Sequence, residues 1–252
     1  MVLLVAGIAF GGATSCKSKK KLAKEQAAAE YALKVDQAKK DLTAIINGST
    51  NWTADEMTDW IDVFSQLKAK EGKYSILGNH DYGDYMDWGS PADKIKNFQE
   101  VKNIHKKIGF DLLLDEHRYL EKGGQKIALL GVENWGKGFN QAGDLERASA
   151  NIKKEDFKIL MSHDPSHWEY KVKQDKFNYQ LTLSGHTHGL QMGIEIPGWF
   201  KWSPSKYVYK QWAGLYQEFG RYINVNRGFG YHAFPGRVGI WPEITVIELK
   251  KA

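Results

Sequence analysis

Three short clusters in this sequence combine imidazole, amide and carboxylate side chains with glycine or another small residue. They are Gly78-Asn79-His80-Asp81, Ser162-His163-Asp164 and Gly185-His186-Thr187-His188-Gly189. Each follows a short apolar run of the kind that forms a buried strand. Imidazole nitrogens and amide oxygens are ligands that suit a divalent transition ion such as Mn, Fe or Zn. Together the clusters predict a metal site.

The elements that must position these clusters are strands in alternation with helices. Apolar runs predict strands at 73–77, 157–162 and 180–184, directly before the clusters, and further strands at 42–46, 111–114, 126–132 and 244–249. Helices are predicted at 53–70, with Thr53 as N-cap and Glu56 three residues on, and at 95–108. Side chains that follow neighbouring strands of one sheet converge at its edge. The pattern favours an α/β (α+β) fold, a layered β-sandwich flanked by helices.

The third cluster carries two histidines at positions i and i+2. In extended or turn backbone, His186 and His188 can bind one ion or two adjacent ions, whereas on a helix they would point apart. Each cluster alone has an ordinary structural explanation, because a lone histidine after a strand is usually a satisfied polar residue and Gly-Asn-His-Asp suits a β-turn. All of them in this order, each at a strand end, favour the metal site.

The order of these clusters is similar to the motif series of calcineurin-like metallophosphoesterases, over residues 41–249. The longer forms GNHDYGDY, SHDPSHW and SGHTHG resemble a bacterial, often membrane-associated branch of that family. The resemblance implies a four-layer architecture and hydrolysis of phosphate mono- or diesters by water activated between two divalent ions. It implies that Asn79, His163 and His186 bind the second ion and that His188 reaches the first. It also implies that His80 stabilises or protonates the leaving oxygen.

The sequence departs from the family series before Asn79. The resemblance implies an earlier Asp-x-His and a Gly-Asp whose carboxylate bridges both ions, and no Asp-x-His precedes Asn79. Ser49 stands at the place of the bridging carboxylate. We therefore expect one ion here rather than two. The outcomes that this leaves open are a one-metal enzyme, a non-catalytic metal- or ligand-binding relative, and a chain whose start was lost by truncation or frameshift.

Residues outside the clusters bear on the substrate. Arg227 and Arg237 are candidate phosphate contacts, although salt-bridged or ordinary surface arginines are the stronger expectation, and His232 is expected to be structural. The segment 194–202, IEIPGWFKW, joins aromatic residues with a lysine. Such a mixture suits a lipid headgroup layer, and a packed loop beside the site is the alternative. The expected partners are a phosphate ester, in one interpretation lipid-linked, and a membrane surface.

The composition of the chain limits the kinds of domain and binding partner that it can have. The chain has 252 residues, 42% of them hydrophobic, which is enough for one large α/β domain or two small ones. Its net charge of +5 suits an anionic substrate or membrane face but is too diffuse to predict nucleic-acid binding. A single cysteine, Cys16, excludes an intramolecular disulfide.

The first residues have two main interpretations, beside that of an artefactual start. The apolar run 2–10 leads through small residues to Cys16, and residues 1–16 resemble a secretory signal with a lipoprotein-like end. The alternative is a buried first strand, a remnant of the missing Asp-x-His strand. Residues 17–40 are charged and alanine-rich, which predicts a helical spacer, and 41–252 form the N-terminally incomplete domain. The expected location is the bacterial cell envelope, membrane-associated or lipid-anchored after export, with the cytoplasm as the alternative.

Overall fold

The computed structural model describes residues 2–3, 53–122, 124–231 and 234–249. The predicted spacer 17–40, the predicted strand 42–46, Cys16, Ser49 and His232 lie outside these residues. Within the described part of the chain, no helix has the length and apolar character needed to cross a membrane.

Strands and short helices alternate through most of the described chain. The strands are β1 Val2–Leu3, β2 Tyr74–Ser75, β3 Asp111–Leu112, β4 Glu116–Lys122, β5 Gln125–Gly131, β6 Phe157–Met161, β7 Leu181–Ser184, β8 Ile194–Ile196, β9 Phe200–Trp202, β10 Gly214–Glu218 and β11 Arg221–Val225. The α-helices are α1 Ile61–Ser65, α2 Pro91–Lys107, α3 Leu145–Ala148 and α4 Pro165–His167, the last continuing as a π-turn over Trp168–Val172. Turns of 3₁₀ helix occupy Ala54–Trp60, Asn79–Tyr82, His188–Gln191 and Pro204–Tyr207.

A six-stranded sheet in the order β10-β11-β7-β6-β5-β4 forms the centre. Its inner strands β11, β7, β6 and β5 are parallel, and the edge strands β10 and β4 pair antiparallel. Ile159 of β6 lies opposite Leu181 of β7, and Met161 lies opposite Leu183. Because parallel neighbours in this register end at the same edge, the residues that follow β6 and β7 are adjacent.

Alternation along the central strands sends apolar side chains to both faces of this sheet. On one face, Leu129 and Ile159 pack with Ile76 and Leu113, which directly follow β2 and β3 of a second sheet ordered β1-β2-β3. On the opposite face, other residues of the same strands pack against side chains of the helical segments. This second cluster includes Leu130, Leu160, Ala148, Trp168 and Val172.

A further apolar cluster joins α1 and α2 beside the three-stranded sheet, through Phe64, Ile104, Ile108 and Phe110. The order is therefore helices, small sheet, large sheet, helices. The predicted layered sandwich flanked by helices is confirmed.

Several local predictions need correction. The predicted strand 244–249 is not formed, because those residues pair with no other part of the chain that the structure describes, although Ile247 and Leu249 pack against the core between the sheets. Thr53 is the N-cap residue before the turn Ala54–Trp60, as predicted, but its side chain makes no capping hydrogen bond among the described residues. The Ala54 N–H instead donates to Oδ1 of Asn97 at 2.8 Å, so α2 supplies the acceptor from a distant part of the chain.

Candidate metal centre

The three sequence clusters meet at the carboxyl edge of the central strands. His163 follows β6 and His186 follows β7, and the Gly185 N–H donates to the His163 carbonyl oxygen at 2.9 Å. Asn79 lies shortly after β2 of the small sheet, as the first residue of the 3₁₀ turn Asn79–Tyr82. The clusters that the sequence singled out are therefore neighbours in space.

Three donor atoms of these clusters form a nearly equilateral triangle. Asn79 Oδ1 lies 3.0 Å from His163 Nε2 and 3.1 Å from His186 Nδ1, and the two ring nitrogens are 3.2 Å apart. Nitrogen and oxygen ligands held about 2.1 Å from a divalent ion are roughly 3.0–3.4 Å from each other in octahedral or tetrahedral geometry. The triangle has the dimensions of one face of such a coordination shell.

The three atoms of this triangle have the chemistry of metal ligands. The Asn79 carbonyl oxygen only accepts, and each ring nitrogen faces both that oxygen and the other nitrogen. Without an ion, both nitrogens can carry protons and donate to the two lone pairs of that oxygen. With the protons on the opposite ring nitrogens, all three atoms direct lone pairs that one cation would accept. The residues present therefore fit a divalent metal ion.

Two tyrosines and a carboxylate orient these ligands from behind. Asn79 Nδ2 donates to the Tyr85 hydroxyl at 2.8 Å, which turns Oδ1 toward the histidines. His186 Nε2 lies 2.7 Å from the Tyr209 hydroxyl and 3.5 Å from Asp164 Oδ2. With the Nδ1 lone pair facing an ion, Nε2 carries the proton and donates to Tyr209. Such a partner fixes the tautomer and the ring orientation of a metal-binding histidine.

Burial favours the uncharged state of the groups around the triangle. It lowers the pKa of His163 well below the ordinary value, and the charges of His186, His188 and His80 lower it further. It also raises the pKa of the Tyr209 hydroxyl, with a smaller contribution from Asp164. A neutral imidazole is the form that binds metal, so His163 is ready to act as a ligand without losing a proton.

Gly78 makes room for His163. A Cβ atom at Gly78 would lie 2.8–2.9 Å from the imidazole ring, closer than real Cβ atoms approach. Asp81 completes the turn, since its Oδ2 accepts from the Gly78 N–H at 2.6 Å. The glycine and the aspartate of the first cluster therefore position Asn79 and His163.

His80 and His188 border the triangle without belonging to it. Both lie near enough to His163 to affect its pKa electrostatically. His80 is half-buried, with its ring centroid 4.8 Å from that of Tyr85. His186 and His188 have left-handed backbone, with φ of 67° and 49°, which is uncommon outside glycine. The expected turn conformation of this cluster is confirmed.

The two candidate phosphate-binding arginines are engaged elsewhere. Arg227 is almost fully buried and pairs with Glu195 at 2.6 Å and with Glu243 at 2.8 Å. Arg237 donates to the carbonyl oxygens of His188, Arg227 and Gly230, and burial lowers its pKa to about 10. Arg227 is salt-bridged, as the favoured interpretation expected, whereas Arg237 is held by backbone carbonyl oxygens.

Tyr85, Tyr209 and Asp164 are the residues that sequence reasoning missed. Asp164 and Tyr85 stand inside the motif segments SHDPSHW and GNHDYGDY, so local sequence could have identified them. Tyr209 has no local signal. The described residues hold no group of three His, Cys, Asp or Glu side chains suited to a metal, so the centre depends on the amide oxygen of Asn79.

The comparisons with known proteins agree with this geometry. Residues 40–190 match the family model described as calcineurin-like phosphoesterase. The chain belongs to this family. The match ends one residue after Gly189, the last residue of the third cluster, so it contains all three clusters of the candidate centre. Membership supports a phosphoesterase-type function.

Named relatives span bacteria and animals. The chain is 32% identical to the uncharacterized metallophosphoesterase YkuE of Bacillus subtilis, over 75% of this chain and 60% of the relative. It is 26% identical to phosphodiesterase YaeI of Escherichia coli, over 75% and 62%, and 27% identical to a Bos taurus transmembrane protein with metallophosphoesterase domain, over 86% and 48%. The chain thus spans about half to three fifths of the length of these relatives. No solved structure gives a significant match.

Proposed function

We propose that this chain hydrolyses phosphate mono- or diesters with one divalent ion held by Asn79, His163 and His186. The donor triangle of 3.0–3.2 Å supports this most directly, because two imidazole nitrogens and an amide oxygen stand at the spacing of ligands around one ion. A divalent ion in such a site, Mn, Fe or Zn by its nitrogen-rich ligands, polarises a phosphoryl oxygen and activates water.

Two further histidines complete the proposal. His80 acts on the phosphate and not on the ion, by donating a hydrogen bond or a proton to the leaving oxygen. Its place in the turn next to Asn79, with Tyr85 against its ring, supports that role. His188 is proposed as an additional ligand, because it follows His186 by two residues in the same left-handed turn.

The expectation of one ion rather than two rests on the carboxylates around the triangle. Asp164 Oδ2 faces Nε2 of His186, on the far side of that ring from the triangle. Asp81 Oδ2 accepts from the Gly78 N–H. Neither is placed to bridge a second ion to the first, which in two-metal sites lies about 3.5–4 Å away.

Metal analysis combined with kinetics tests the proposal. After dialysis against low metal, we expect one equivalent of Mn, Fe or Zn, lost in His186→Ala. Hydrolysis of bis(p-nitrophenyl) phosphate with Mn should be weak, and His80→Ala should lower it by about a hundredfold to a thousandfold with metal content unchanged. His117→Ala, on the edge strand β4, is the matched control and should keep both the bound metal and the rate of hydrolysis.

The outcomes separate the candidate functions. Two tightly held equivalents, or none, would contradict the one-ion centre. Full activity in His80→Ala would contradict its role at the phosphate. One bound ion without any turnover would favour the alternative, a non-catalytic metal-binding relative of the family.

We propose the bacterial cell envelope as the location, on the sequence of residues 1–16. The structure adds one observation, the antiparallel pairing of Val2 with Ser75 and of Leu3 with Tyr74, which is the kind of contact that the strand alternative expects. Intact mass spectrometry after expression in a bacterial host separates the two. Export with lipid anchoring gives Cys16 as the new N-terminus in the membrane fraction, whereas an unmodified Met1 in the soluble fraction favours the strand.

A further inference from the structure

A two-stranded hairpin projects from the segment that follows the third cluster. β8 and β9 form a sheet of their own, with Ile194 opposite Trp202, Glu195 opposite Lys201 and Ile196 opposite Phe200. The connection over 197–199 includes Gly198, whose φ of 76° suits a tight turn. Because neighbouring residues of a strand face opposite sides, Glu195 and Lys201 share one face and the other two pairs share the other.

The charged face of the hairpin is turned toward the body of the protein. Glu195 pairs with the buried Arg227 at 2.6 Å. The Lys201 ammonium donates to the Ala213 carbonyl oxygen at 2.5 Å and lies over the rings of Trp212 and Tyr216, 5.7 Å from each centroid. Both charged side chains of the hairpin thus contact other parts of the chain.

The opposite face and the tip are apolar and exposed. Trp199 at the tip is 81% exposed, and Ile194, Ile196 and Phe200 are 56%, 45% and 47% exposed. A short hairpin that leaves this much apolar surface in water, with its charged residues directed inward, indicates a surface with a partner.

The hairpin is held directly beside the candidate metal centre. Ser203 Oγ, just after β9, donates to the Gly189 carbonyl oxygen at 2.6 Å, and Thr187 Oγ1 donates to the Trp212 carbonyl oxygen at 2.8 Å. The segment that carries the hairpin therefore leaves the third cluster and returns to it. Each strand has three residues, so the tip extends about 10 Å from the base.

We propose that the exposed face of this hairpin inserts into a lipid surface and so brings the metal centre to phosphate esters carried at that surface. Tryptophan and phenylalanine with aliphatic neighbours are suited to the boundary between headgroups and acyl chains. The exposed Lys206 and the net charge of +5 add attraction to anionic lipid. The role of the surface in catalysis rests on the proposed function; the docking itself does not.

A lipid surface fits the size of the hairpin better than a protein partner does. A stable protein interface buries roughly 800 Å² on each partner, and strands of three residues offer much less. Insertion into an interface needs only a few apolar side chains, because each is transferred out of water individually. The exposed face and tip supply four such apolar side chains.

Vesicle co-sedimentation tests the docking. The full chain is mixed with vesicles of phosphatidylcholine and phosphatidylglycerol, and with phosphatidylcholine alone. The double variant Trp199→Ser/Phe200→Ser should reduce partitioning to both by about tenfold or more. The matched control is Phe219→Ser, which changes a 64% exposed aromatic residue in the turn between β10 and β11, at the opposite edge of the sheet from the centre. This control should bind as the wild type does.

Three results would overturn the docking: no vesicle binding by the wild type, equal binding by the double variant, or a concentration-dependent dimer, measured by light scattering, that the double variant abolishes. The last would assign the face to a second copy of this chain. Hydrolysis of bis(p-nitrophenyl) phosphate, a soluble diester, should be unchanged in the double variant. Vesicle binding without any hydrolysis would refute the proposed function and leave the docking standing.

Discussion

The hydroxyl of Tyr209 offers a direct test of how the metal centre is oriented. Tyr209→Phe removes one oxygen atom, 2.7 Å from His186 Nε2, and keeps the aromatic ring that meets His186 edge to face at a centroid distance of 5.4 Å. The substitution therefore removes the hydrogen bond to the histidine and preserves the packing. Any loss of metal affinity reports on the orientation of His186.

The size of the expected loss of metal affinity in Tyr209→Phe depends on Asp164. Removing the partner of a metal-binding histidine typically costs 10–100-fold in metal affinity, about 1.4–2.7 kcal/mol. Asp164 Oδ2 lies 3.5 Å from the same nitrogen and is buried with no hydrogen-bond partner among the described residues, so a small turn of the ring lets it accept the proton. We therefore expect about a tenfold loss in Tyr209→Phe, the low end of that range.

The double variant Tyr209→Phe/Asp164→Asn should lose more than its two single variants predict together. Asp164→Asn alone should change affinity little, because Tyr209 still accepts from Nε2, and the asparagine can still accept from the Ser166 N–H as Asp164 Oδ1 does. With both acceptors changed, the loss should approach a hundredfold.

Competition between the metal-free protein and a chromophoric chelator for Mn or Zn measures these affinities. Tyr207→Phe is the matched control, because Tyr207 is 74% exposed and only two residues away. Unchanged affinity in the double variant would refute the argument that these groups orient His186. Complete loss of metal in Asp164→Asn alone would mean instead that the carboxylate itself binds the ion.

Three further predictions follow from the same contacts. Metal at a hundredfold excess over its Kd should raise the free energy of unfolding by about 2.7 kcal/mol in urea titrations, and His186→Ala should abolish the effect; an equal gain in that variant would place the ion elsewhere. Gly78→Ala should displace His163, lowering metal affinity and costing about 1–3 kcal/mol of stability, whereas Gly138→Ala, with open space around its Cβ, should not; equal melting temperatures would contradict the steric argument. Burial lowers the pKa of His167 to about 3, so the stability that it contributes is present above the ordinary pKa near 6.5 and is lost as pH falls toward 3. Between pH 6.5 and 5 that loss is about 1.6 kcal/mol, and urea midpoints of His167→Gln should fall less steeply over this interval than those of the wild type.

The sequence by itself determined the family, the layered fold and which clusters form the candidate metal centre. These depend on local patterns, namely apolar runs that end in Gly-Asn-His-Asp, Ser-His-Asp or Gly-His-Thr-His-Gly. A parallel sheet converts strand ends into one shared edge, so residues placed at those ends meet without further information. Asn79, His163 and His186 could therefore be predicted together, although 84 residues separate the first two.

Other features were decided only by the tertiary structure. The edge strands β4 and β10 were not predicted, because each is stabilised by its partner across the sheet rather than by a long apolar run. Residues 244–249 have the pattern of a strand but cover the core without pairing to any described strand. The cap of the Ala54 N–H comes from Asn97, 43 residues away, so no local pattern could identify it.

The orientation of the proposed metal ligands was also decided only by the tertiary structure. Whether Nδ1 or Nε2 of His186 faces the triangle is set by Tyr209 and Asp164, which lie on different segments and meet the ring only after the chain has folded. Likewise, the inward pairing of Arg227 with Glu195 both removes that arginine from the substrate and leaves the apolar face of the hairpin exposed. Sequence specifies which side chains are available near the strand ends. Which atom of each one faces the ion is determined by contacts between residues far apart in the chain, because a side chain rotates to satisfy whichever hydrogen-bond partners the fold brings to it.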